Sequence, residues 1–268
     1  MSPNPPSTSQ LFRLEGRIAF VSGAAGHLGR AMAFALADAG AHVIVNGRNA
    51  KTLEELVVEI ETRKGSAEPA AFDVGNLDAA QTFFASRSRL DVLVNNAISM
   101  TPKPFDALTD GDFEQTYRTG VVAPFAMTRA ALPALRAAVR EAGEASIVNI
   151  ASMYGHVSPD SRIYARPEQA SPFHYGPAKA ALLQLTRHLA AELAKEHIRV
   201  NALVPGPFPR ESVQKADPQF AERLAGHTML GRVARADEIR GPLLFLASPA
   251  SSFVTGAAIA VDGGWTAW

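Results

Sequence analysis

Short apolar runs alternate with amphipathic helical patterns along almost the whole chain, and this alternation constrains the fold more than any other feature. The strand-like runs cover residues 18–21, 42–45, 69–72, 91–94, 146–150, 199–204 and 258–261. The helical patterns cover residues 28–39, 51–63, 77–86, 112–140, 179–196 and 236–246. Strands connected by helices form parallel sheets that are covered on both faces. The sequence therefore predicts an α/β fold, a Rossmann-like doubly wound parallel sheet of about seven strands flanked by helices.

The length and composition favour a single domain. The chain has 268 residues, 47% of them apolar, which is enough for one full hydrophobic core. No proline-rich linker or change in composition divides it. Residues 1–13 begin with a stretch rich in Pro and Ser and are predicted to be a disordered tail. Residues 14–268 are predicted to form the folded domain.

Charge and cysteine content exclude several functional classes. The 26 Lys and Arg residues balance the 26 Asp and Glu residues, whereas non-specific nucleic-acid binding needs a basic surface. The absence of cysteine excludes disulfides, iron–sulfur clusters and a thiol nucleophile, and the histidines lack metal-ligand spacing. The sequence shows neither a membrane-spanning run nor a signal peptide. We therefore expect a cytoplasmic protein with no metal, nucleic-acid or membrane partner.

Three glycines lie where the first strand turns into the first long helix. They are Gly23, Gly26 and Gly29, in the stretch Ser22-Gly-Ala-Ala-Gly-His-Leu-Gly. Glycine allows a sharp turn and lets a pyrophosphate approach the N–H groups at a helix N-terminus. This context favours a dinucleotide-binding loop over a plain strand-to-helix turn.

The end of the second strand favours NADP(H) over NAD(H). Asn46-Gly-Arg48 stands where an acidic residue would accept a hydrogen bond from the 2′-hydroxyl of NAD. No acid is present, and the Arg48 guanidinium could pair with a 2′-phosphate. The alternative is that Arg48 is a solvated residue after a turn.

A tyrosine and a lysine four residues apart form the strongest catalytic candidate. Tyr175 and Lys179 share one face of a helix, and Pro177 places them in its first turns. Ser152 follows a buried strand at its C-terminal end, where open α/β sheets bind ligands. The three residues together suggest catalysis at one edge of the sheet.

These motifs, taken in order, resemble the short-chain dehydrogenase/reductase family from Leu14 to the C-terminus. Beyond the glycine loop and the Ser-Tyr-Lys set, the resemblance rests on Asp73-Val74, Asn95-Asn96-Ala97, Pro205-Gly206 and Val261-Asp-Gly-Gly264. The resemblance implies that residues 14–268 form an NAD(P)-binding Rossmann-like catalytic domain. It implies cofactor contacts from Ser22, Gly23, Ala25, Gly26, His27, Leu28, Gly29, Asn46, Arg48, Asp73, Val74, Asn95, Ala97, Tyr175, Lys179, Pro205 and Gly206.

The resemblance also implies a mechanism. Tyr175 would be the general acid/base, Lys179 would favour the phenolate and hold the nicotinamide ribose, and Ser152 would orient the substrate oxygen. The expected activity is an oxidoreductase that transfers a hydride between NADP(H) and a carbonyl or secondary alcohol. A homotetramer, or a dimer, built on helices 112–140 and 179–196 is expected.

Four residues depart from the family pattern. His27 and Ile98 stand where glycine is usual, and Arg210 stands where a threonine usually contacts the carboxamide. Gly120 stands where the family has an asparagine that holds a water in a proton relay. These departures sustain a second hypothesis, a catalytically weak nucleotide-binding sensor or scaffold of the same fold.

The segment between Ser152 and Tyr175 is about ten residues longer than is usual in the family. The insert, residues 156–174, is predicted to border the substrate pocket. One hypothesis is that Arg162 or Arg166 faces a sugar acid or another polar ketone, as in gluconate 5-dehydrogenase-like members, which the stretch Ser-Met-Tyr-Gly also resembles. The alternative is a solvated loop with ordinary surface charges.

Overall fold

Seven parallel strands form one sheet in the computed structural model, which describes residues 6–165 and 170–268. The strands are β1 Ile18–Val21, β2 His42–Gly47, β3 Ser66–Ala71, β4 Val92–Asn95, β5 Ala145–Ile150, β6 Ile198–Pro205 and β7 Ala258–Val261. Their spatial order is β3-β2-β1-β4-β5-β6-β7, and every neighbouring pair is parallel. The predicted doubly wound Rossmann-like architecture is confirmed.

Helices cover both faces of the sheet. They are α1 Thr8–Leu11, α2 His27–Asp38, α3 Ala50–Thr62, α4 Leu77–Ala85, α5 Asp110–Tyr117, α6 Ala123–Ala142, α7 Tyr175–Leu193, α8 Glu211–Ala216, α9 Pro218–Gly226 and α10 Arg240–Ala247. One core lies under α2, α3 and α10, and the other lies under α4, α6 and α7. Within residues 6–165 and 170–268, no helix combines the length and apolar character needed to cross a bilayer.

Side-chain caps fix where several helices begin after the strands. Asn49 and Asn76 accept hydrogen bonds from the backbone N–H groups of Thr52 and Ala79 at the starts of α3 and α4. At α5, the N-cap hydroxyl of Thr109 and the carboxylate of Asp112 form a reciprocal capping box. These caps fix where the loops after β2 and β3 end, and because all strands are parallel these loops lie at one common edge of the sheet.

The pattern predicted as one long helix over residues 112–140 forms two helices. A π-helical turn, Arg118–Val122, joins α5 to α6. Within this region the Thr119 hydroxyl donates to the Gln115 carbonyl and accepts from the N–H of Ser99, a loop residue. Such insertions interrupt the regular ladder of a helix and are frequent at functional sites. The prediction of a single regular helix is therefore wrong at this point.

The tail predicted to be disordered contains a helical turn. Residues 1–5 lie outside the described part of the chain, and α1 follows directly. The Ser7 side chain accepts from the backbone N–H of Gln10, and the Gln10 side chain accepts from the N–H of Ser7. Residues 8–11 thus form a short capped helical turn with no buried residue, where the sequence predicts a disordered tail.

Candidate active site

The glycine loop between β1 and α2 is built on backbone contacts that leave no space for side chains. A Cβ atom at Gly29 would lie 2.1 Å from the carbonyl oxygen of Gly23, although Gly29 belongs to a helix. Gly23 itself has a φ of 63°, in the left-handed region that favours glycine. Gly26 is the N-cap of α2 and contributes no side-chain cap. The loop therefore brings bare backbone to the N-terminus of a twelve-residue helix.

A second loop, after β4, is tied to the glycine loop by hydrogen bonds. The buried hydroxyl of Ser22 accepts from the backbone N–H groups of Asn96 and Ala97 at 2.9 and 3.0 Å. The Asn96 amide donates to the carbonyls of Ser22 and Gly23. Asn95, a predicted cofactor residue, points into the sheet, where its amide donates to Asn149 at 2.8 Å. Ser22 and Asn95 thus hold the scaffold, while Ala97 and its neighbour Asn96 face the cleft.

A cleft of about 380 Å³ opens between these two loops at the ends of β1, β2 and β4. Predicted residues in its walls are Gly23, Ala25, Gly26, Asn46, Arg48, Asp73, Val74 and Ala97. Its walls also include Asn49, Thr52, Phe72, Asn96, Ile98, Ser99 and Thr119, which were not predicted to bind a cofactor. Of these, Asn96 and Ile98 belong to the motif that follows β4. The others come from segments without a local sequence signal, and only the folded chain brings them together.

The residues of the cleft fit a dinucleotide. The glycine loop leaves helix N–H groups accessible to a phosphate, and a Cβ at Gly26 would lie 3.0 Å from the Gly23 carbonyl oxygen. Among the described residues Arg48 has no carboxylate partner, so its charge is available to an anion. The buried Oδ1 of Asn46 lacks a hydrogen-bond donor in the same part of the chain. The phosphates of a dinucleotide would meet the helix N–H groups and the Arg48 guanidinium.

His27 does not face the cleft as one of its wall residues but lies beside the loop that follows β6. Burial together with the charge of Arg210 lowers the pKa of the imidazole, and the nearby backbone of Phe208 opposes this shift. At the same loop Gly206 packs so closely that a Cβ would lie 2.5 Å from the Cα of Asp262. Pro205 ends β6, and Leu28 packs against the core. These predicted cofactor residues therefore position the loops that border the cleft.

Ser152, Tyr175 and Lys179 meet at the C-terminal ends of β5 and β6. Ser152 is buried and follows β5, and Tyr175 and Lys179 lie in the first turns of α7 as predicted. The Ser152 hydroxyl lies near enough to the Tyr175 phenol to influence its pKa. The Lys179 Nζ donates to the Ile150 carbonyl at 2.6 Å and lies 5.5 Å from the centroid of the Tyr175 ring.

Burial sets the protonation of this group. It raises the pKa of Tyr175, and the nearby Ser152 hydroxyl opposes the rise. Burial lowers the pKa of Lys179 to about 7, because its ammonium loses hydration without gaining a carboxylate among the described residues. Tyr175 therefore keeps its proton at neutral pH, while Lys179 can gain or lose one there. This arrangement suits proton transfer to a substrate oxygen.

The space beside Gly120 is filled by Ile98, another residue that departs from the family pattern. A Cβ at Gly120 would lie 2.9 Å from the Cδ1 of Ile98 and 3.8 Å from the Cβ of Ala178. An aliphatic side chain from the loop after β4 thus occupies the space beside the π-helical turn. Arg210, the fourth departure, is exposed at the N-cap of α8.

Among the described residues of the insert, Arg162 and Asp160 form an ion pair with each other. Arg162 is 86% exposed and forms a bidentate ion pair with Asp160, at distances of 2.7–3.0 Å. Asp160 also accepts from the Nε2 of His227 at 3.2 Å, and Arg223 donates to the Ile163 carbonyl. The exposed pairing of Arg162 with Asp160 favours the alternative, an ordinary surface charge, over a contact with an anionic substrate. Arg166 lies outside the described residues.

An aromatic wall stands between the insert and the catalytic serine. The hydroxyls of Tyr154 and Tyr164 are 2.7 Å apart, and the Tyr154 ring contacts Trp265 edge-on at 6.4 Å. Trp265 also packs on the ring of His227 at 5.4 Å. Burial raises the pKa of both tyrosines, and for Tyr154 the hydrogen bond to Tyr164 and then the nearby Tyr175 raise it further. These rings, which the sequence did not single out as ligands, place hydroxyl groups close to the catalytic tyrosine.

A larger cavity of about 830 Å³ lies on the outer side of α7. Its walls come from the insert, from the Lys103–Phe105 stretch and from Gly176, Pro177 and Ala180 of the helix. Ser152, Tyr175 and Lys179 are not among its described wall residues. In addition, the described residues contain no cluster of His, Asp or Glu that could hold a metal ion. The same three residues are not among the described wall residues of the smaller cleft either, whereas Tyr154 and Tyr164 line the larger cavity.

Comparison with known families and proteins gives one consistent result. Residues 23–266 match the model of a family described as enoyl-(acyl carrier protein) reductase. The chain is 34% identical over 259 residues to the rhamnolipids biosynthesis 3-oxoacyl-[acyl-carrier-protein] reductase of Pseudomonas aeruginosa, covering 95% of this chain and 98% of that one. It is also 34% identical to the gluconate 5-dehydrogenase of Gluconobacter oxydans, covering 97% and 98% respectively.

A solved structure extends the comparison to three dimensions. The gluconate 5-dehydrogenase of Burkholderia cenocepacia, in complex with NADP and tartrate, superposes with a TM-score of 0.84 at 32% identity. The match covers 98% of this chain and all of that one. The similarity thus spans the glycine loop, the catalytic helix and the C-terminal strand together.

Proposed function

The chain belongs to the short-chain dehydrogenase/reductase family, and we propose that it is an oxidoreductase that transfers a hydride between NADP(H) and a carbonyl or secondary alcohol. The single observation that carries the proposal is the meeting of Ser152, Tyr175 and Lys179 at the edge of the sheet next to the glycine cleft. A dinucleotide in the cleft would supply the hydride. The protein supplies binding, orientation and the proton.

Tyr175 and Ser152 act on the substrate oxygen. In the direction of reduction, the protonated Tyr175 hydroxyl donates its proton to the carbonyl oxygen as that oxygen gains negative charge. The buried Ser152 hydroxyl donates a hydrogen bond to the same oxygen and fixes its orientation. In the direction of oxidation, the roles of donor and acceptor are reversed.

Lys179 supports the phenolate that Tyr175 becomes. Its Nζ is held by the Ile150 carbonyl, close to the tyrosine ring. Because burial brings the pKa of Lys179 to about 7, the group can be cationic while the phenolate exists and can release its proton afterwards. The lysine thus combines electrostatic support with proton exchange at neutral pH.

The cofactor proposed is NADP(H) in preference to NAD(H). Arg48 lines the cleft just after β2, next to the capping residue Asn49 and to Thr52. A guanidinium at this position matches a 2′-phosphate, and no described acid of the second strand end competes for it. The NADP complex of the Burkholderia relative supports the same choice.

The substrate class proposed is a polar ketone, such as a keto sugar acid, or the corresponding alcohol. The hydroxyls of Tyr154 and Tyr164, which line the larger cavity, offer hydrogen bonds beside the aromatic Trp265. The relatives named gluconate 5-dehydrogenase support this class. Arg162 has no part in it, since it pairs with Asp160.

The test is oxidation of NADPH, followed at 340 nm with a panel of ketones, aldehydes and ketogluconates. Turnover with polar ketones is expected, and Tyr175→Phe should lower kcat/KM about a thousandfold while NADPH still binds. Binding of NADPH without turnover across the panel, by the wild type and Tyr175→Phe alike, would favour the sensor or scaffold hypothesis. Equal affinity of the wild type for NADH and NADPH, with Arg48→Asp as the control, would contradict the cofactor preference.

A homotetramer, or a dimer, built on the outer faces of α6 and α7 is proposed as the assembly. Val122 and Phe125 are about 40% exposed at the start of α6, and Arg129 lies over the Phe125 ring. An exposed apolar patch on a long helix suits a two-fold helix–helix contact. Light scattering after gel filtration measures the mass, and Phe125→Asp is expected to lower it.

A further inference from the structure

Two features of the active site that are separate in the sequence occupy one volume in the fold. Gly120 lies in the π-helical turn between α5 and α6, and Ile98 lies in the loop after β4. A Cβ on Gly120 would be only 2.9 Å from the Cδ1 of Ile98, which is closer than carbon atoms pack. The side chain of Ile98 therefore depends on the absence of a side chain at position 120.

The backbone of the loop is pinned to the same part of the helix. The N–H of Ser99, the residue after Ile98, donates to the Thr119 hydroxyl at 2.9 Å. The carbonyl of Ser99 accepts from the Thr116 hydroxyl at 3.0 Å. Thr116 and Thr119 are both buried. Because both backbone groups of Ser99 are bonded, the Ile98 side chain cannot be relieved by a simple shift of the loop away from the helix.

The Ile98 side chain can therefore move only towards the cofactor cleft. Its side chain lines that cleft together with Ala97 and Thr119. On the opposite side, the space at Gly120 borders Ala178, the residue before the catalytic Lys179. The Ile98 side chain thus stands between the open cleft and the helix that carries the catalytic residues.

We propose that Ile98 is a cofactor-positioning residue, whose side chain fills the volume left by Gly120 and forms the apolar wall of the cleft beside the catalytic helix. The inference rests on the proposed function, since it requires a dinucleotide in the cleft. A larger residue at position 120 displaces Ile98 towards the dinucleotide. The loss is recovered when Ile98 is shortened.

The experiment is a double-mutant cycle with NADPH affinity as the readout, measured by fluorescence titration. Gly120→Val adds as many carbon atoms as Ile98→Ala removes, so the double variant conserves the total volume. Gly120→Val is expected to raise the Kd for NADPH about tenfold and Ile98→Ala about threefold. The double variant is expected within about threefold of the wild type.

The matched control is Gly111→Val in α5, where a Cβ would meet only the Thr109 hydroxyl at an ordinary 3.8 Å. This variant should bind NADPH as the wild type does. If Gly120→Val does not fold, the smaller cycle of Gly120→Ala with Ile98→Val adds one carbon and removes the opposing Cδ1. In that cycle Gly120→Ala is expected to raise the Kd for NADPH about threefold, and the double variant is expected to recover that loss.

Each remaining outcome is decisive. The positioning role is overturned if the fold-increase in Kd of the double variant equals the product of the fold-increases of the two single variants. It is also overturned if Gly120→Val binds NADPH like the wild type. If the wild type binds neither NADPH nor NADH, the proposed function itself fails. A wild type that binds NADPH, together with variants whose effects on the binding free energy are additive, would therefore contradict this inference alone and leave the proposed function intact.

Discussion

The glycine cleft and the insert lie at the same edge of the sheet, yet they are built by opposite means. The cleft is shaped by missing side chains: at Gly29 the nearest backbone oxygen would lie 2.1 Å from a Cβ. The insert is held by side chains, with Asp160 accepting from Arg162 and His227 and with Arg223 bound to the carbonyl of Ile163. Backbone packing tolerates almost no change, whereas contacts between exposed charges have little effect on stability.

The difference shows where sequence-based reasoning about function is safe. A glycine required by close backbone approach leaves a local pattern, and the pattern predicts a site. A charged residue in a long loop has no such local pattern, because the fold decides which group it pairs with. Three changes test this contrast, and they are ordered by the size of the effect expected.

The largest effect is expected from Gly29→Ala. Gly29 lies in the first turn of α2, where alanine would normally stabilise a helix by about 0.5–1 kcal/mol. Here the new Cβ would collide with the carbonyl oxygen of Gly23, a backbone atom that cannot rotate away. We expect a loss of about 3 kcal/mol in the free energy of unfolding and loss of NADPH binding. Denaturant unfolding and NADPH titration measure the two effects.

Gly241→Ala is the matched control. Gly241 lies in the first turn of α10, and nothing stands within 4 Å of the position of its Cβ. The same substitution should therefore leave stability unchanged or raise it slightly. The expected difference between the cleft and the helix surface would be contradicted if Gly29→Ala and Gly241→Ala changed the free energy of unfolding in the same direction.

The predictable part of the site follows from its local signals. The sheet, the glycine loop and the positions of Ser152, Tyr175 and Lys179 depend on patterns within a few residues of each other, and the fold places them as expected. The π-helical turn at Arg118–Val122 could not be predicted, because it depends on Ser99 binding to Thr119 across the fold. The partner of Arg162 and the packing of Ile98 on Gly120 are likewise long-range or loop-specific contacts.

A smaller effect, of opposite sign, is expected from Lys179→Met. The Lys179 side chain is 3% exposed, and its one described hydrogen bond is to the Ile150 carbonyl. Burying this charge costs free energy, so a methionine of similar shape should stabilise the protein by about 1–2 kcal/mol at pH 7 while abolishing activity. Thermal unfolding measures the gain in stability, and NADPH oxidation measures the loss of activity.

The gain should depend on pH. The pKa of Lys179 falls from 10.5 to about 7 on folding, so between these values the unfolded chain binds more protons than the native one. Wild-type stability therefore rises with pH over this range, and the advantage of Lys179→Met shrinks from pH 7 to pH 9.5. Lys195→Met, at an exposed position, is the control and should show no such trend. A constant advantage at all pH values would falsify the assignment of a buried, destabilising charge.

The smallest effect is expected in the insert, from Arg162→Ala. The Arg162 guanidinium is exposed and already neutralised by Asp160, so its removal takes nothing from the substrate or the cofactor. We expect KM and kcat for polar ketones to stay within about twofold of the wild type, because exposed pairs contribute little. Asp160→Ala is the informative counterpart, since Asp160 also accepts from His227, which packs on Trp265 in the aromatic wall. That variant should raise KM more than kcat by loosening the wall, whereas a tenfold rise in KM for Arg162→Ala alone would return the guanidinium to the substrate site.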